Sequence, residues 1–120
     1  MQFVLLIHQG TTPTRNSPSW STLSEAEQQQ IYADYAALNA SQAMTSGLPL
    51  GLPDDASTVT VKDGVRTVVA GPFLQDATKA VGGYGIVEAD DIETAYEIAA
   101  RIPAARLGGA VEVRPVKVYW

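Results

Sequence analysis

The stretch from Val68 to Pro115, VVAGPFLQDATKAVGGYGIVEADDIETAYEIAARIPAARLGGAVEVRP, decides the fold. It opens on the end of a strand and turns at Gly71-Pro72. After a mixed segment over 74–81, which has room for a helical turn, a second strand begins at Gly82-Gly83-Tyr84-Gly85-Ile86-Val87. The glycines there permit a bulge or a close backbone approach. Asp90-Asp91 then predicts the start of a helix, with Asp90 and Glu93 at capping-box spacing. Acids at that place are explained by the helix N-terminus, which favours negative charge, before any metal or acid–base pair is invoked. Ile92, Ala95, Tyr96, Ala99 and Ile102 form the expected buried stripe, and Pro103 stops the helix. Gly108-Gly109 turns the chain into Ala110-Val111-Glu112-Val113, which alternates like a half-buried strand. Val116 to Trp120 form a tail that extends this strand or crosses to a neighbour.

Working outward, Asp63-Gly64 sits between Thr58–Lys62 and Val65–Val69, two β-rich runs. Gly supplies the positive φ of a type I′ turn, so this predicts a hairpin. A two-residue turn pairs Val61 with Arg66 and Val59 with Val68, which puts Arg66 on a face with three valines. Arg66 is then either an exposed residue near the hairpin end or an anion-binding group at a pocket mouth. Leu48 to Asp55, with Pro49, Gly51 and Pro53, reads as a connection.

Upstream, Ser24 and Glu27 predict a capping box opening a helix. Ile31, Tyr35 and Leu38, with Tyr32 beside them, make one apolar stripe that fades near Met44, with Gly47 as the stop. The sequon Asn39-Ala40-Ser41 lies inside this helix and is read as chance. Residues 9–23 form a long polar loop carrying Pro13, Pro18 and Trp20; loops of this length are often rims or lids. Trp20 either docks back on the fold or covers a pocket. Phe3-Val4-Leu5-Leu6-Ile7, ending at His8, is a continuous apolar run that suits a central strand buried on both faces.

The whole chain is 120 residues, 46% hydrophobic and 18% charged, which suits one globular domain over 1–120. Net charge is −5, and the eight Lys and Arg are scattered. That argues against nucleic acid and against an acidic membrane surface as partners. With no cysteine, disulfides, thiolate metal sites and a cysteine nucleophile are excluded, and one histidine excludes multi-histidine metal sites. No metal and no cofactor is expected. The spacing G-x-G-x-x-G is absent and the glycines precede a strand rather than follow one, so no dinucleotide fingerprint is present. The first residues carry no basic region and no cleavage site, and no run reaches the roughly 20 apolar residues of a membrane span. The expected location is cytoplasmic.

The order strand, helix, strands, helix, strand reduces to βαββαβ. This is the split-βαβ or ferredoxin-like plan: an α+β fold with an antiparallel sheet and both helices on one face. The other face is left bare although the first strand is apolar on both sides. A second copy packed sheet to sheet is the expected cover, giving a homodimer with a central cavity.

The opening MQFVLLIH, the hairpin VTVKDGVRTVVAGPF, the run GGYGIVEADDIETAYEIAARIPAA and the closing GGAVEVRPV together resemble the YCII-related superfamily, in its DGPF-domain branch. The resemblance covers nearly the whole chain in the right order. It implies a dimeric α/β barrel. Most members are uncharacterised; relatives include enzymes of small-molecule ring chemistry, among them a chloromuconolactone dehalogenase. The genes of the branch often neighbour those of extracytoplasmic-function sigma factors, which implies a regulatory context. The naming motif begins with Asp, whereas this chain reads Ala70-Gly71-Pro72-Phe73, so any function of that carboxylate is missing here. The following segment, LQDATKAV, runs about one residue longer than the branch pattern. It carries Lys79 where an acid is usual, and Asp76 is the carboxylate nearby. His8 stands where the branch often has Tyr.

Two functions remain open. In one, His8 acts as general acid or base near neutral pH, with Tyr84 and Arg114 orienting a small anionic ligand and Arg66 and Trp20 as further ligand-binding candidates. In the other, the dimer is a non-catalytic module for a ligand or a protein, and a lone histidine at a strand end is structural. A carboxylate beside His8 in a closed polar pocket favours the first reading, and a dry apolar interface favours the second.

Overall fold

The computed structural model describes residues 1–15, 17–76 and 79–119, and of 45–47 the backbone only. Eight principal elements follow one another: β1 (Gln2–His8), α1 (Glu25–Ser41), β2 (Met44–Pro49), β3 (Ser57–Lys62), β4 (Val65–Ala70), β5 (Val81–Glu88), α2 (Ile92–Ala100) and β6 (Ala110–Pro115). Strands β2, β5, β1 and β6 lie in that order in one sheet, and β1 is antiparallel to both of its neighbours. With the β3–β4 hairpin set aside, this is the expected ferredoxin-like order.

The hairpin is where the chain departs from expectation. It forms a separate two-stranded sheet, and the outer strand beside β5 is β2, which the sequence reading had assigned to a helix end and a connection. The sequence MTSGLP is weak by strand propensity. It is held instead by its ladder to β5, from Met44↔Val87 to Pro49↔Gly83. Pro49 is tolerated because β2 is an edge strand. Helix α1 accordingly stops early, at Ser41. Gln42 takes the left-handed cap at φ 55°, and Gly47 lies inside β2.

Helix α1 begins with the expected capping box: Ser24 Oγ accepts from Glu27 N–H and Glu27 Oε1 accepts from Ser24 N–H, both at 3.1 Å. In α2 the cap falls one residue later than the Asp90–Glu93 spacing indicates. Asp91 is the N-cap, accepting from both Thr94 N–H and Thr94 Oγ1 at 2.8 Å. The stripe shifts with it. Ala95, Ile98, Ala99 and Ile102 are buried, while Ile92 and Tyr96 are exposed.

Register assigns the two faces of the sheet. Phe3, Leu5 and Ile7 stand opposite Val87, Gly85 and Gly83 on one side and Pro115, Val113 and Val111 on the other. That face meets Leu38 of α1 and Ala95, Ile98 and Ala99 of α2 in a single core. Phe3 and Leu5 are fully buried, each contributing about 2 kcal/mol by area. The opposite face carries Val4, Leu6 and His8 with Ile86, Tyr84, Arg114 and Glu112, and among the described residues no helix joins it to the core.

The hairpin has the predicted turn, with φ 52° at Asp63 and 77° at Gly64, and the predicted register, Val61↔Arg66 and Val59↔Val68. It is covered on neither face: every residue of β4 is exposed. The radius of gyration of 16.1 Å exceeds the about 13.6 Å of a compact 120-residue domain, consistent with a ribbon and tail that project. Val116 N–H donates to Gln2 O, which continues the β6 pairing by one step; beyond it Val118 and Tyr119 are exposed, and Trp120 lies outside the described residues. Residues 77 and 78 of the segment expected to hold a helical turn also lie outside the described residues. Among the described residues no helix is long and apolar enough to cross a membrane.

Candidate functional site

His8 ends β1 on the uncovered face. The register shift between Ile7 and His8 places it opposite Val81 on one side and Ala110 on the other. The chain is pressed close there: a Cβ at Gly109 would overlap the His8 carbonyl oxygen. The ring is held at its Nδ1, 3.0 Å from the carbonyl oxygen of Lys79. A carbonyl only accepts, so Nδ1 carries the hydrogen and Nε2 is the nitrogen free for chemistry. Nε2 lies 3.4 Å from Glu112 Oε1; it is buried and makes no hydrogen bond among the described residues. The other oxygen of Glu112 is 3.5 Å from Arg114 Nε. His8, Glu112 and Arg114 therefore form one row on one face, and a proton placed at Nε2 sits between the ring and a carboxylate.

The sequence candidates divide. His8, Tyr84 and Arg114 share this face, with Tyr84 opposite Leu6 and Arg114 opposite Val4. Arg66 does not join them; it is exposed on the separate hairpin. Trp20 lies in a short 3-10 turn over Pro18–Thr22 and docks edge-on against Tyr32, with ring centroids 5.6 Å apart. It lines a cavity of about 880 Å³ beneath the 9–20 loop, walled by Ile7, Ile31, Tyr32, Tyr35 and Met44, which Tyr84 also borders.

Glu112 was missed as a site residue. Its alternating strand was legible, but its place beside His8 follows only from the β1–β6 register. It places a carboxylate from β6 beside the His8 ring. Asp76, the other carboxylate considered, lies 3.9 Å from Lys79 Nζ. Arg15, in the polar loop, carried no signal either; its guanidinium lies 5.6 Å from the centre of the Tyr32 ring.

Three acids are shifted by their partners. Backbone and side-chain hydrogen bonds hold Asp91 (from Thr94) and Glu27 (from Ser24) below the usual carboxylate range. Burial pushes Asp34 up, but hydrogen bonds from Arg106 and Gln30 and the Arg106 charge outweigh it and leave Asp34 lowered. Among the described residues no group of three or more His, Asp or Glu side chains is placed to hold a metal ion.

Among curated proteins none matches this chain. Among solved structures, a 5-chloro-2-hydroxyhydroquinone dehydrochlorinase from Burkholderia phenoliruptrix AC1100, in complex with 2,5-dihydroxybenzoquinone, is similar over 98% of this chain and 94% of its own, with 17% identity and a TM-score of 0.46. A likeness at that level bears on neither substrate nor reaction. The family model described as the YCII-related domain matches residues 1–119. With a match running through both helices and every strand, the chain belongs to the YCII-related domain family.

Proposed function

We propose that two copies of the chain pack open face to open face, and that the cavity between them binds a small anionic molecule on which His8 acts as general acid or base. The observation that carries this reading is the row His8–Glu112–Arg114 on a sheet face that, among the described residues, no helix joins to the core. The Lys79 carbonyl orients the ring, Glu112 accepts or stabilises a proton at Nε2, and Arg114 and Tyr84 orient the ligand. Val4, Leu6 and Ile86 on the same face supply apolar area for a two-fold interface.

A second reading, a non-catalytic dimeric module for a small ligand or a regulatory protein partner, draws on two observations. Ala70 occupies the place of the motif carboxylate, and Arg114 is already paired with Glu112. Sedimentation equilibrium and NMR of the single histidine separate the readings. The expected outcome is a dimer that Leu6→Lys converts to a folded monomer. Saturable shifts of the His8 ring signals with acetate or benzoate are expected in the dimer and not in that variant. A dimer whose His8 signals ignore both anions leaves the non-catalytic module. A wild-type chain that stays monomeric overturns both.

A further inference from the structure

The cavity beneath the 9–20 loop is distinct from the His8 row: it lies between the sheet and α1, and His8 is not among its walls. Its volume of about 880 Å³ falls within the range of small-molecule sites. Its composition is selective. In a chain of net charge −5, Arg15 is the one charged side chain on its wall among the described residues, and none of the described carboxylates lines it. Arg15 makes no ion pair among the described residues, and the Tyr32 ring beneath it limits the orientations it must lose on binding an anion. Trp20, Tyr32 and Tyr35 offer ring surfaces on the same wall.

We propose that this cavity binds an aromatic carboxylate, its ring against Trp20 and Tyr35 and its carboxylate on Arg15. Trp and Tyr surfaces favour stacked or edge-on contact with a planar ring. A guanidinium matches a carboxylate in a two-point fork. Burial, and then the nearby Asp34 charge, push the Tyr35 phenol up, so it remains a neutral O–H donor at neutral pH. Thr12, also on the wall, is buried and its Oγ1 has no hydrogen-bond partner among the described residues. A bound molecule, or a water held with it, supplies one.

The test uses the full chain carrying Trp120→Phe, which leaves Trp20 as its one tryptophan. The indole N–H signal of Trp20 is followed by NMR against 3-phenylpropionate and its neutral analogue 3-phenylpropanol. The acid is expected to shift the signal saturably and to bind about tenfold more tightly than the alcohol, the scale of one charge-assisted contact. Arg15→Gln is expected to weaken the acid about tenfold and leave the alcohol unchanged. His8→Ala is expected to leave both titrations unchanged. The proposal is overturned by the absence of a saturable shift, by equal affinity for acid and alcohol, by an Arg15→Gln variant that binds the acid like the parent, or by loss of binding in His8→Ala. Arg15 is exposed, and the spectrum of the free variant shows directly whether its fold is intact.

Discussion

The four-stranded sheet and the β3–β4 ribbon are written in similar letters and end in opposite environments. FVLLI in β1 and the valines and threonines of β3 and β4 all favour extended chain. In β1, alternate residues are sealed beneath two helices. In the ribbon, Val59, Val61, Val65, Val68 and Val69 all face outward. Propensity brings both segments to the strand conformation; burial is decided by what packs on the strand afterwards. Two strands alone make a marginal structure, so the ribbon depends on its turn and on its attachment at Ala56–Gly71, where Gly71 N–H donates to Ala56 O at 2.7 Å.

The sharpest contrast between the two regions is in core substitutions. Leu5→Ala, at a fully buried site, is expected to cost about 2–5 kcal/mol in chemical denaturation. Val61→Ala on the exposed ribbon is expected to cost under about 0.5 kcal/mol. Equal losses would mean that the ribbon is buried in solution, by a second copy or by another partner, and the contrast would fail. Gly64→Ala isolates the turn. At φ 77° with open space around it, the added methyl meets no neighbour, so the cost is conformational, about 1 kcal/mol. Hydrogen exchange should confine that loss to β3 and β4. If it spreads into β1, the two sheets unfold as one unit.

An effect no larger than that of Gly64→Ala concerns the pair that ties α1 to the turn after α2. Asp34 has a lowered pKa in the folded chain, so its contribution is present above the unfolded carboxylate value and is lost as pH falls through the folded one. Arg106 is partly exposed, so the pair is worth at most about 1 kcal/mol. Arg106→Gln should therefore lower stability at neutral pH by that amount and by progressively less in acid. A difference that stays constant with pH would show that the ion pair contributes nothing and that the side chain acts through packing.

From the residues in order, much was determined without coordinates. The family is legible as a resemblance along nearly the whole chain, and the αβ order in the run of elements; the α1 capping box and the type I′ turn with its register follow from local spacing. In these last two, the deciding interactions lie within a few residues: Ser24 with Glu27, Asp63 with Gly64. What only the tertiary structure decided lies at larger separations. MTSGLP becomes a strand because β5 offers it a free edge, and the hairpin consequently leaves the main sheet. His8 meets Glu112, and Arg15 meets Tyr32, because the β1–β6 register and the path of the 9–20 loop bring them together. A strand's side chains alternate with a period of two, so one step of register moves a residue to the other face. Local sequence does not carry that parity; pairing with a distant strand sets it.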